Sequence, residues 1–174
     1  MGLTGVKVFG KPRRGIYIPI FFVPLHLIMG RLLAIDYGKK RSGIAVSDPL
    51  RIIANPLDTV ATTELIAFVQ KYCSENHVDG IVVGLPMNLN GKPSESMSSL
   101  TPTINRLRKV IAPIPVVYFD ERFTSVLAHR AMLDGGMKKS DRRDKAVVDR
   151  ISASILLNDF MQSSSAGQLP STGK

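Results

Sequence analysis

Residues 31–48 read Arg-Leu-Leu-Ala-Ile-Asp-Tyr-Gly-Lys-Lys-Arg-Ser-Gly-Ile-Ala-Val-Ser-Asp. Two apolar strands, 31–37 and 42–47, are joined here by a turn too short for anything but antiparallel pairing. Asp36 stands near the end of the first strand, where an unpaired buried charge is costly. The turn Gly38-Lys39-Lys40-Arg41 sets three cations beside this one acid. An acid on a central strand next to a basic turn suits a site for a divalent cation and a phosphate. The competing explanation is an acid that merely caps the turn, with cations that are simply solvated.

Outward from this pair, a third extended segment near 52–60 carries Pro56, which marks it as an irregular or edge strand. Thr62-Thr63-Glu64 opens a helix in which Leu65, Val69, Tyr72 and Cys73 recur at helical spacing. Residues 80–86 form a continuously apolar segment bounded by Gly and Pro, the pattern of a buried parallel strand. A loop at 87–95 leads to a helix from about 96 to 111. Val116–Phe119 form another buried strand, followed by Asp120-Glu121-Arg122. A short helix at roughly 125–133, a charged loop to Asp144 and a last helix from about 145 to 161 complete the order. The arrangement is α/β: a mixed five-stranded sheet, with a three-strand meander, two parallel strands and flanking helices. That is the order of the ribonuclease H-like fold.

Composition narrows the class. The chain has 174 residues and is 44% hydrophobic, enough for one globular core. Residues 1–30 hold four of the 23 Lys and Arg and none of the 14 Asp and Glu, so 31–174 carry a net +5. This moderate charge is compatible with a polyanionic partner. Cys73 is the only cysteine, which excludes an intramolecular disulfide and a cysteine-based zinc site. No run of about 18 apolar residues suggests a membrane span.

Lys11-Pro12-Arg13-Arg14 followed by the apolar 16–28 imitates a signal peptide. Pro19 and Pro24 interrupt it, and no small-x-small cleavage pattern follows. We expect residues 1–29 to be a non-core leader, with Met29 as the natural start, 30–162 to be the single domain, and 163–174 to be a flexible tail. Leu169-Pro170-Ser171-Thr172-Gly173 matches a sortase pattern but lacks the hydrophobic tail and basic stop that would follow it.

Four motifs in order carry a resemblance: DYGKKRSGIAVSD from Asp36, GLPMNLNGKPSES at 84–96, DERFTS at 120–125 and VDRISASILL at 148–157. Over about 31–162 the chain resembles the YqgF/RuvX family of pre-16S rRNA nucleases, also called Holliday-junction-resolvase-like. The resemblance implies a ribonuclease H-like nuclease of the cytoplasm that acts in 5′-end maturation of pre-16S rRNA during ribosome biogenesis. Carried over by motif, Asp36 is the first-strand acid, Glu121 or Asp120 the acid after the last strand, and Asp149 the acid of the final helix. Ser152 and Ser154 stand where the family often has alanine; both are small enough for close packing of helix on sheet.

Asp36, Glu121 and Asp149 are therefore the expected catalytic and metal-binding set, with Mg2+ or Mn2+ as cofactor. Such ions take oxygen ligands and support phosphodiester hydrolysis. Successive strand residues face opposite ways, so only one of Asp120 and Glu121 points into the site; Glu121 is preferred. Gly38, Lys39, Lys40, Arg41, Asn88, Asn90, Lys92 and Arg122 are the expected substrate contacts. Structured RNA, the pre-rRNA, is the expected partner. A Holliday-junction-type DNA resolvase acting on branched DNA and a non-catalytic nucleic-acid-binding module are the alternatives. A sugar-kinase-like ATPase is disfavoured, because it needs two such domains around a cleft. Clustered carboxylates are out of place in a pure phosphate binder.

Overall fold

The computed structural model describes residues 29–85, 97–120, 132, 134–136, 138 and 144–163. Among the described residues, eight elements follow one another: β1 (Arg31–Tyr37), β2 (Arg41–Ser47), β3 (Ala54–Ala61), α1 (Leu65–Glu75), β4 (Val78–Leu85), α2 (Met97–Val110), β5 (Val116–Asp120) and α3 (Lys145–Gln162). The sheet order is β3-β2-β1-β4-β5. β1 pairs antiparallel with β2 and parallel with β4; β2 pairs antiparallel with β3, and β4 parallel with β5. This is the ribonuclease H-like α/β arrangement expected from the order of elements. Pro56 lies in β3, the edge strand, where a missing N–H donor is tolerated.

Strand alternation divides the core in two. Leu33, Ile35, Tyr37, Ile44, Ile81 and Val83 pack with Leu65 and Val69 of α1 and with Leu100, Ile104 and Leu107 of α2. Leu32, Ala34, Ala45 and Val82 face the other way, onto Ala153, Leu156, Leu157 and Phe160 of α3. Phe119 of β5 meets Phe160 edge to face at 5.5 Å between ring centroids. Small side chains on the α3 face let the helix lie close to the sheet. Burying a side chain the size of Phe160 or Leu157 contributes roughly 1.5–3 kcal/mol, so this helix is fixed chiefly by packing. Polar ties add to it: the Thr59 hydroxyl donates to the Ala146 carbonyl at 2.7 Å, and Asn158 Oδ1 accepts from the Ala54 amide at 3.2 Å.

The opposite pole of β1 is clamped by Asp79. Its Oδ2 accepts from the Gly30 amide at 2.7 Å and pairs with Arg51 Nη2 at 2.6 Å, while Oδ1 lies 3.2 Å from His77 Nε2. Nearby, Asp48 accepts from the amides of Leu50, Ile52 and Ile53. Desolvation works against the charged form, but the amide bonds outweigh it and hold the Asp48 carboxyl below its ordinary range.

Candidate active site

The same alternation that puts Leu32 and Ala34 under α3 puts Asp36 there too, two residues further along β1. Its partner across the antiparallel ladder is Gly43. That glycine is required by space: a Cβ would run into the carbonyl of Asp149, with the Arg150 amide nitrogen at 3.0 Å. The first turns of α3 thus rest directly on the sheet beside Asp36. Asp149 is the fifth residue of that helix. Its start is fixed by Asp144, whose side chain accepts from the Ala146 amide at 2.9 Å. An acid near a helix N-terminus is also favoured by the helix dipole.

Two carboxylates separated by more than 100 residues of sequence therefore become neighbours. The Asp36 carboxyl is pushed up to about 7, first by burial and then by the negative charge of Asp149. Asp149 is more exposed and pairs with Arg41, with Nε 3.2 Å from Oδ2. Lys145, one turn earlier at the spacing that favours an ion pair along a helix, is not its partner.

The basic turn is held by a residue whose role the sequence did not reveal. Thr62 donates its hydroxyl to the Gly38 carbonyl at 2.7 Å, its amide to the Lys40 carbonyl at 3.1 Å, and shares a 3.1 Å hydroxyl contact with Ser42. Thr62 therefore does not open α1. That helix begins after Glu64, whose side chain makes no capping bond. Gly38 also has a steric reason within the turn, since a Cβ there would strike the Arg41 carbonyl. Lys39, Lys40 and Arg41 are exposed around it.

Of the other expected site residues, Asn88, Asn90, Lys92, Glu121 and Arg122 lie outside the described residues. So does most of the helix expected at 125–133. Asp120 closes β5 with its backbone, opposite Leu85. Among the described residues, no three His, Cys, Asp or Glu side chains come together as a metal-binding group. What they supply is a pair. Asp36 and Asp149 offer only oxygen donors, and the pKa of the Asp36 carboxyl is raised first by burial and then by the Asp149 charge. That donor chemistry fits a hard divalent cation.

The chain thus has a ribonuclease H-like sheet, with an acid on its central strand beside a second acid on the last helix. Residues 30–163 match the family described as "RuvX: Holliday junction resolvase", and the chain belongs to that family. It is a nuclease, a hydrolase of phosphodiester bonds. A protein of Phocaeicola vulgatus named "Putative pre-16S rRNA nuclease" is 56% identical over 135 residues, covering 78% of this chain and 97% of that protein. Proteins of the same name from Bacteroides fragilis and Flavobacterium johnsoniae are 52% and 42% identical, covering 77% and 78% of this chain and 97% and 98% of those proteins. The fold is similar to that of T. thermophilus RuvC in complex with Holliday junction substrate, with a TM-score of 0.52 and 15% identity over 78% of this chain and 97% of that one.

Proposed function

We propose that the chain is a Mg2+- or Mn2+-dependent endonuclease that processes the 5′ end of pre-16S rRNA during ribosome biogenesis in the cytoplasm. The observation that carries this reading is the Asp36–Asp149 carboxylate pair beside an exposed basic turn. The name shared by relatives up to 56% identical supports the substrate. The absence, among the described residues, of a helix long and apolar enough to cross a membrane is compatible with it.

Asp36 and Asp149 would hold the cation, with Glu121 as the third ligand. A divalent ion held there would supply activation of the attacking water and would offset charge on the phosphate and leaving oxygen. The residues of the chain do the rest. The turn Gly38–Arg41 supplies cations to hold the substrate backbone, joined by Asn88, Asn90, Lys92 and Arg122. Val117 and Phe119 of β5 pack on the α3 side, as Asp36 does, and Glu121 is preferred to Asp120 as the acid that follows this strand. Glu121→Gln is accordingly expected to lose nearly all cleavage, while Asp120→Asn retains activity. The reverse result would exchange the two assignments and leave the mechanism standing.

A second reading, cleavage of branched DNA, is favoured by the family description. RNA and DNA differ at the 2′-hydroxyl, which contacts rather than metal chemistry must read. The deciding experiment offers matched substrates, a precursor RNA carrying the 16S 5′ end and a four-way DNA junction, in Mg2+. We expect specific RNA cleavage and little junction resolution; resolution of the junction alone would replace the first reading by the second.

Binding to nucleic acid is expected to be weak and strongly salt-dependent, given the net +5 on 31–174. With about 3–6 phosphates contacted, affinity falls steeply between about 50 and 200 mM salt. Replacing Lys39 and Lys40 with alanine should lower the slope of log affinity against log salt by about 2. An unchanged slope moves the phosphate path elsewhere.

We also propose that residues 1–29 lie outside the domain and that 163–174 form a tail. A chain beginning at Met29 is expected to melt at the same temperature as the full chain. A large drop in Tm would show that the leader packs on the core.

A further inference from the structure

The contact between Arg41 and Asp149 has a consequence for how the site is loaded. Arg41 is the first residue of β2, and the backbone on both sides of it is pinned: Thr62 holds the Gly38 and Lys40 carbonyls, and Ser42 is paired with Tyr37 of β1 and Val60 of β3. Its side chain is 43% exposed and that of Asp149 29%. A pair this open to solvent is weak and readily broken. It nevertheless engages the carboxylate that the proposed reading gives to a cation. A guanidinium and a divalent ion compete for that carboxylate and repel each other.

We propose that Arg41 is a two-position residue: it occupies the Asp149 carboxylate until a divalent cation binds, and the released guanidinium then contacts a substrate phosphate. This rests on the reading of Asp149 as a metal ligand. Arg41 keeps a lone carboxylate near Asp36 partly neutralised while the site waits for its ion. Once displaced, it remains anchored at the rim of the carboxylate pair, on the same exposed turn as Lys39 and Lys40. An arginine suits the second position because its planar fork matches two phosphate oxygens. Cation binding and substrate binding are thereby linked through one side chain, without any movement of the backbone.

The test measures two affinities with the full chain. Mn2+ titrated into Arg41→Gln protein is expected to bind about two- to fivefold more tightly than to wild type, the factor that loss of a half-exposed ion pair allows. The same variant is expected to bind a non-cleaved structured RNA more weakly in Ca2+, with the salt slope reduced by about 1. Opposite signs for the two ligands are the signature. Lys40→Ala is the control for general charge: it should weaken RNA binding and leave Mn2+ affinity much less changed. The proposal is overturned if Arg41→Gln leaves Mn2+ affinity unchanged or weakens it, if Lys40→Ala tightens Mn2+ equally, or if the salt slope does not move. Wild-type protein that binds no Mn2+, or binds it equally well as Asp149→Asn, overturns the metal reading and this proposal together. That result is distinct from Mn2+ binding that is merely indifferent to Arg41.

Discussion

Asp36→Asn is expected to make the metal-free protein more stable at pH 8, by up to roughly 4 kcal/mol, and to remove the pH dependence that Asp36 contributes between about pH 4 and 7. The reason is the folded-state pKa of about 7, raised from 3.8 by burial and then by Asp149. An acid with a raised folded pKa binds its proton more tightly in the folded chain than in the unfolded one. Between 3.8 and about 7 the folded protein holds a proton that the unfolded chain has lost. Stability therefore falls as pH rises through this window and levels off above it, where both states are ionised. Asparagine carries no charge at any pH, so the variant lacks this loss. Thermal melts of both proteins in chelator, from pH 4 to 9, should show curves that converge in acid, separate between about pH 4 and 7 and run parallel above. A variant less stable than wild type at pH 8 would mean that Asp36 makes favourable contacts that outweigh its burial.

Gly43→Ala is expected to damage fold and function together, although Gly43 carries no side chain to do chemistry. The added Cβ meets backbone, the Asp149 carbonyl, which cannot rotate out of the way. The helix must shift or tilt away from β2. Overpacking of this kind costs about 1–3 kcal/mol, visible as a Tm several degrees lower. Displacing Asp149 from Asp36 by even about 1 Å should also reduce cleavage on the order of 100-fold, since positioned groups lose their effect steeply with distance. The Asp36 pKa should fall toward its ordinary value as the neighbouring charge recedes. Wild-type melting and activity in this variant would show that α3 approaches the sheet less closely than the contact requires.

The sequence carries the sheet almost completely. The two apolar runs on either side of the short basic turn, with Pro56, give the meander, and the Gly- and Pro-bounded apolar runs give the parallel strands. These signals are local, so they survive in a single chain. What is not legible is which distant residues meet. Nothing at position 41 announces a partner 108 residues away, and Lys145, at helical spacing, is the partner that local rules favour for Asp149. Thr62 looks like a helix opener because threonine often is one; its hydroxyl instead serves a turn two strands earlier in the chain. Gly43 did carry a signal, since glycine inside a strand marks a close backbone approach. The α3 backbone that approaches it becomes visible only in three dimensions. Between Asp120 and Glu121, alternation says only that one faces the site, and Glu121 lies outside the described residues.

The most direct measurement is cleavage of a structured precursor RNA in Mg2+ by wild type, Asp36→Asn and Asp149→Asn, each shown to be folded by its melting curve. Our account expects cleavage by wild type, supported by Mn2+ and poorly by Ca2+, and near-complete loss in both variants. Asp36→Asn protein that cleaves as well as wild type would contradict it, and leave the chain as a binder of nucleic acid whose carboxylate pair serves another purpose.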